Sequence, residues 1–87
     1  MNKTNCIRIV VVDDHQMFLD GISSVLSSEE NFEVLFVENN PKKALVKLEK
    51  IIPDLIITDI SMPEMNGIEF VKIIKKEYPT IKIIEHT

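Results

Sequence analysis

Three aspartates stand at the ends of two apolar segments, where they could bind a cation together. Asp13 and Asp14 follow the segment 7–12, and Asp59 follows the segment 55–58. If both segments are buried parallel strands, their carboxyl ends meet at one edge of a sheet. Carboxylates held so close repel one another unless protons or a cation neutralise them. Oxygen ligands without a cluster of Cys or His favour a hard cation, and Mg²⁺ before any soft metal.

The hydrophobic pattern predicts four strands that alternate with three helices. The strands are expected at 7–12, 32–37, 55–58 and 81–84, and the helices at 16–28, from residue 41 to Ile52, and from Gly67 to Tyr78. The residues predicted to face the core are Phe18, Ile22, Val25 and Leu26 in the first helix, Ala44, Leu45, Leu48 and Ile52 in the second, and Ile68, Val71, Ile74 and Tyr78 in the third. This βαβαβαβ order predicts an α/β domain with a parallel sheet, right-handed crossovers and helices on both faces.

Particular residues mark helix starts and close packing. Asn40 is predicted to be an N-cap and Pro41 the first helical residue. Gly21 interrupts the first helix at a cost of about 1 kcal/mol, which suggests close packing of that helix on the sheet. Gly67 is predicted to permit a tight backbone geometry where the third helix begins. His15, at the entry to the first helix, is expected to face solvent rather than to bind a metal.

Composition excludes several classes of protein. The chain has 87 residues, a net charge of −4 and no apolar stretch near the ~18 residues of a membrane span. With Cys6 as its one cysteine, it is expected in a reducing compartment, the cytoplasm, with no direct contact to membrane or nucleic acid. Its two glycines, Gly21 and Gly67, cannot form a phosphate-binding glycine loop.

The chain resembles the receiver domain of two-component response regulators over essentially its whole length. The resemblance rests on Asp13-Asp14 after a β-branched strand, on Asp59 followed by Met62-Pro63 and Gly67, and on Thr87 at the end of the fourth strand. The segment 13–18 further resembles receivers that carry a LuxR-type helix-turn-helix output domain. The resemblance implies a flavodoxin-like, doubly wound fold and a signalling module in transcription regulation, not a turnover enzyme.

The resemblance also implies a role for each site residue. Asp59 would be the phosphoacceptor, and a sensor histidine kinase would be the phosphodonor. Mg²⁺ would be held by Asp14, Asp59 and the backbone carbonyl of Ser61, with Asp13 contributing through a bound water. Thr87 would be the switch hydroxyl that bonds the phosphoryl group.

The chain departs from the family pattern at its carboxyl end. A full receiver continues with a helix, a strand and a helix, and with a Lys that contacts the phosphoryl group. We therefore expect 1–87 to be a C-terminally truncated receiver domain in which phosphorylation is slow or absent. Strand four would be an open edge, which predicts a homodimer or a domain-swapped dimer. Glu85-His86 stand where the family usually has two apolar residues.

Two other functions remain open on the sequence. A phosphohydrolase with an aspartyl nucleophile would need a second Asp two residues after Asp59, where this chain has Ser61. The other alternative is a phosphorylation-defective interaction or dimerisation domain, or a competitor for the kinase.

Overall fold

The structure, a computed structural model, describes residues 6–62 and 66–86. The strands are β1 (Ile7–Val12), β2 (Phe32–Glu38), β3 (Leu55–Asp59) and β4 (Lys82–His86), and the helices are α1 (Gln16–Ser27), α2 (Pro41–Leu48) and α3 (Gly67–Glu77). The predicted alternation of strands and helices is confirmed. In the described residues, no helix combines the length and the apolar character that crossing a membrane requires.

The strands form one parallel sheet in the order β2-β1-β3-β4. The chain steps outward from β1 to β2 and then returns past β1 to β3, which is the doubly wound arrangement that the sequence predicted. β1 has a neighbour on each side, and its residues 9–12 are almost fully buried. In the described part of the chain, β4 is an edge strand, as expected.

Alternate residues of β1 serve two separate cores, one on each face of the sheet. Val10 and Val12 pack with Ala44 of α2 and Phe70 of α3. Ile9 and Val11 point to the opposite face, where α1 covers them. This period-two alternation explains why residues 9–12 of β1 are all apolar: neither side of this segment faces solvent.

The helix faces differ from the prediction at their margins. In α1, Val25 is 64% exposed while Leu19 is buried, because Val25 lies roughly a quarter-turn from the centre of the buried stripe. In α3, Ile68 is 51% exposed and Phe70 is buried, because Ile68 lies about 100° from the direction that faces the sheet. α2 ends at Leu48, so Ile52 falls outside the helix.

Gly21 does not serve close packing. A Cβ at this position would meet nothing within 4 Å, so the prediction of a tight helix–sheet contact was wrong. The N-cap of α2 is confirmed, since the side chain of Asn40 accepts from the backbone N–H groups of Lys42 and Lys43.

Candidate functional site

The carboxyl ends of β1 and β3 bring Asp13, Asp14 and Asp59 together. The parallel register pairs Val12 with Thr58, so the residues that follow them leave the sheet side by side. Asp13 is 1% exposed and Asp59 is 2% exposed, whereas Asp14 is more open to solvent. The predicted acidic cluster therefore exists, and two of its three carboxylates are buried.

Short turns fix the orientation of both buried carboxylates. The backbone N–H of His15 donates to Oδ1 of Asp13 at 2.8 Å. The backbone N–H of Ser61 donates to Oδ1 of Asp59 at 2.9 Å. In each turn the aspartate side chain accepts a hydrogen bond from the backbone N–H of the residue two positions later, which is common for this side chain. Both aspartates are thereby held before any ligand binds.

The start of α3 lies directly against the end of β3. A Cβ on Gly67 would stand 2.2 Å from the carbonyl oxygen of Asp59 and 2.3 Å from Cα of Ile60. Gly67 also donates its N–H to the carbonyl of Ile60 at 3.1 Å. Asn66 caps the helix by accepting from the N–H groups of Ile68 and Glu69. The predicted importance of Gly67 is confirmed, and its cause is this close approach, since no described glycine has a positive φ.

His15 occupies a position that sequence reasoning missed. The sequence suggested only a solvent-facing side chain at the entry to α1, and the side chain is indeed 69% exposed. Its Nδ1 nevertheless lies 2.8 Å from Oδ1 of Asp13, 3.1 Å from Oδ1 of Asp14 and 3.8 Å from Oδ2 of Asp59. The hydrogen bond to Asp13, followed by the charge of Asp14, raises the pKa of His15 above 6.5.

His86 approaches the cluster from the neighbouring strand. The β3–β4 register pairs it with Asp59, and its Nε2 lies 3.2 Å from Oδ2 of Asp13. That separation is within ion-pair range, yet the buried Nε2 has no aligned hydrogen-bond partner among the described residues. The other side of the ring packs on Phe18, with the ring centroids 4.7 Å apart. The sequence signal was the polar pair Glu85-His86, which stands where the family usually has two apolar residues.

The donor set suits a divalent cation. One ligand atom from each of Asp13, Asp14, His15 and Asp59 can be chosen so that all lie within 4.8 Å of one another. Within the described residues, no lysine or arginine forms an ion pair with these carboxylates. Thr87 and Pro63 lie outside the described residues, so the predicted switch hydroxyl and the loop proline stay predictions.

An open cleft adjoins the cluster, with a volume of ≈ 490 Å³. Its lining residues are Asp14, Ile60, Ser61, Met62 and Asn66. Met62 is also part of the core on the α2–α3 side of the sheet, where it is 6% exposed. The cleft gives a ligand access to the carboxylates, while Met62 ties its wall to the packed interior.

Comparison with known proteins decides the family. Residues 9–87 match the response regulator receiver domain. The chain belongs to this family. The receiver domain is 39% identical over 80 residues to the transcriptional regulatory protein DegU of Brevibacillus brevis, covering 92% of this chain and 34% of DegU. It is 42% identical over 78 residues to the response regulator protein VraR of Staphylococcus epidermidis, covering 90% of this chain and 37% of VraR.

Solved structures agree on the fold of this receiver domain. It superposes on the non-phosphorylated receiver domain of RcsB from Escherichia coli with a TM-score of 0.88 and 31% identity, covering 95% of this chain and 66% of that one. The isolated receiver domain of RcsB from Salmonella enterica, determined with the phosphomimetic BeF₃⁻, gives a TM-score of 0.86 and 31% identity, covering 93% and 61%. The chain thus spans about a third of the length of the curated relatives that it matches.

Proposed function

We propose that this receiver domain accepts a phosphoryl group on Asp59 as part of a two-component phosphorelay. The observation that carries the proposal is the position of Asp59: a buried carboxylate at the end of a central strand, beside Asp13 and Asp14. Membership of the family supports the same role. We assign the whole of residues 1–87 to this one receiver unit.

The transfer requires little covalent chemistry from the protein. A carboxylate oxygen of Asp59 attacks the phosphorus of a phosphohistidine on the kinase. The P–N bond breaks, and its electron pair remains on the imidazole nitrogen of the donor. Catalysis of such a step depends on in-line positioning and on neutralising the charge of the phosphoryl oxygens. The hydrogen bond from Ser61 N–H to Oδ1 supplies positioning, since it fixes the rotation of the Asp59 carboxylate.

The neutralising charge would come from Mg²⁺. Asp14, Asp59 and the backbone carbonyl of Ser61 would hold the ion, and Asp13 would contribute through a water molecule. The residues fit this group, because the carboxylate oxygens converge within 4.8 Å and, among the described residues, only the imidazoles of His15 and His86 lie within ion-pair range of them. Mg²⁺ takes one or two carboxylates and keeps the remaining positions for water and phosphate oxygens. When bound, it would neutralise charge on the transferring group.

The partners follow from this role. A sensor histidine kinase is the proposed phosphodonor, and Thr87 is the proposed switch hydroxyl. Similarity to DegU and VraR supports the predicted LuxR-type subfamily and a place in transcription regulation. Structures of RcsB show dimers on DNA, and this chain covers 44% of that protein. We propose a homodimer for this chain through the edge of β4 and no DNA contact from residues 1–87.

Intact mass after incubation with acetyl phosphate and Mg²⁺ tests the phosphoacceptor. The native chain is expected to gain the mass of one HPO₃ unit, and Asp59→Asn is expected to gain none. Asp20→Asn is the matched control, because Asp20 is an exposed aspartate on α1 whose carboxylate contacts Gln16. It should be labelled like the native chain. A folded native chain that gains no mass at saturating Mg²⁺ would refute the proposal and favour the alternative of an interaction domain.

A further inference from the structure

We propose that His15 makes this acidic pocket a binding site for a divalent ion that prefers imidazole ligands, such as Zn²⁺, and that this ion competes with Mg²⁺. The ion would take Nδ1 of His15 together with carboxylate oxygens of Asp13, Asp14 and Asp59. The inference deepens the proposed function, because it concerns the same pocket. It is tested by binding alone, without a phosphodonor.

The position of the imidazole nitrogen is the first support. Nδ1 of His15 lies within 3.8 Å of an oxygen from each of the three aspartates. In a tetrahedral site, two ligands of one Zn²⁺ ion, each at about 2.1 Å, stand about 3.4 Å apart. Atoms as far apart as 4.8 Å would therefore have to approach each other by roughly 1.4 Å. Because Nδ1 of His15 is already within 3.8 Å of each aspartate, the wider separations lie between carboxylate oxygens, and the partly exposed Asp14 has room to make this adjustment.

The chemistry of the donors is the second support. Carboxylate, carbonyl and water oxygens suit Mg²⁺, whereas an imidazole nitrogen suits Zn²⁺, Cu²⁺ and Ni²⁺. The three aspartates would be sufficient to bind Mg²⁺ without a nitrogen ligand. Because Nδ1 of His15 already lies among the carboxylate oxygens, Zn²⁺ would gain a ligand that Mg²⁺ does not use.

His86 is the third support, and it acts through Asp13. Its Nε2 is buried, lies 3.2 Å from Oδ2 of Asp13 and has no aligned hydrogen bond among the described residues. Oδ1 of the same carboxylate is the atom nearest Nδ1 of His15. Asp13 thus stands between two imidazoles. A small rotation would let His86 donate to Oδ2 and orient Oδ1 toward a bound ion, as groups behind metal ligands commonly do.

Calorimetric titration of the chain with Zn²⁺ and separately with Mg²⁺ provides the test. Nearly every oxygen site prefers Zn²⁺ to Mg²⁺, so the comparison that decides is between variants for one metal. At a pH where His15 is neutral, His15→Gln is expected to lower the affinity for Zn²⁺ at least tenfold and to leave the affinity for Mg²⁺ within about threefold. His86→Leu is expected to lower the affinity for Zn²⁺ by a smaller factor. Asp20→Asn is the control that should change neither.

A second readout identifies the ligand atom. In ¹⁵N spectra of the imidazole rings, recorded at a pH where His15 is neutral, Zn²⁺ is expected to shift Nδ1 of His15, and Mg²⁺ is not. His15→Gln changes an exposed side chain, so the variant should fold, and its circular dichroism spectrum checks this. Equal losses of affinity for both metals in His15→Gln, unchanged affinity for Zn²⁺, or an unmoved Nδ1 resonance would each overturn the inference.

The two proposals fail separately. Phosphorylation of Asp59 with no effect of His15→Gln on Zn²⁺ binding would remove the inference and keep the phosphoacceptor. Selective Zn²⁺ binding through His15 in a chain that gains no phosphoryl group would keep the inference and remove the phosphoacceptor. If both hold, Zn²⁺ in the pocket is expected to inhibit labelling by acetyl phosphate in the presence of Mg²⁺, and a chelator selective for Zn²⁺ over Mg²⁺ should restore it.

Discussion

The two glycines of this chain are predicted to respond in opposite directions to the same substitution. In Gly67→Ala, the new Cβ would stand 2.2 Å from the carbonyl oxygen of Asp59, where an ordinary carbon–oxygen contact is roughly 3.3–3.6 Å. All three of the nearest atoms belong to the backbone of residues 59 and 60, so no side chain can move aside. Either α3 or the end of β3 must shift by about 1 Å.

Overpacking of this kind costs typically 1–3 kcal/mol, and we expect Gly67→Ala near the upper end. A domain of this length has a free energy of unfolding of roughly 4–13 kcal/mol, so the loss is a large fraction of it. Gly21→Ala meets nothing within 4 Å and lies inside α1, so it should stabilise the protein by about 0.5–1 kcal/mol. Comparing Gly67→Ala with Gly21→Ala therefore distinguishes the effect of close backbone packing from the effect of helix propensity.

Urea unfolding followed by circular dichroism measures both changes. With a slope of about 1 kcal/mol per molar urea, the midpoint should fall by about 2–3 M for Gly67→Ala and rise by about 0.5–1 M for Gly21→Ala. Gly67→Ala should also weaken Mg²⁺ binding, because the displaced segment carries Asp59. A free energy of unfolding for Gly67→Ala within about 0.5 kcal/mol of the native value would refute the close approach.

Three further predictions concern stability. Asn66→Ala removes the side chain that caps α3 and should lower the free energy of unfolding by about 1 kcal/mol in urea titration, while Asn66→Asp should retain most of it. Phe70→Ala empties a fully buried position and should cost about 3–5 kcal/mol, measured in the same way. The raised pKa of His15 stabilises the folded chain fully below pH 6.5, and this contribution is lost as the pH rises through the folded-state value. In chelator, the difference in unfolding free energy between the native chain and His15→Gln should therefore shrink as the pH rises above 6.5.

The sequence predicted the sheet and the acidic cluster because both follow from local patterns. Continuous β-branched runs mark buried parallel strands, and the residues directly after them must share an edge. Asp13 and Asp59 needed no further information to be placed together. The burial of residues at the edges of the helix faces was less predictable. Val25 is exposed and Phe70 is buried because of the way each helix is rotated about its own axis, and only tertiary packing sets that rotation. The end of α2 was misjudged because apolar residues continue past Leu48 without a sharp helix stop before Pro53.

The two histidines could not be assigned from the sequence because their roles depend on side-chain direction and strand register. His15 was expected to face solvent, which is true of most of its ring but not of Nδ1. His86 reaches Asp13 only because β4 pairs with β3 in a register that sets it opposite Asp59. A shift of one residue would turn His86 to the other face of the sheet.

The acidic pocket is best understood as one set of oxygens for which several cations compete. Its buried carboxylates repel one another, and a proton on the adjacent His15 would offset part of that charge. A divalent ion on the same oxygens and a proton on His15 are both positively charged, so each disfavours the other and acid weakens metal binding. For Mg²⁺ the imidazole is only a competitor, whereas for Zn²⁺ the deprotonated ring is also a ligand. Acidification should therefore weaken Zn²⁺ binding more steeply than Mg²⁺ binding, and His15→Gln should make the two pH dependences alike.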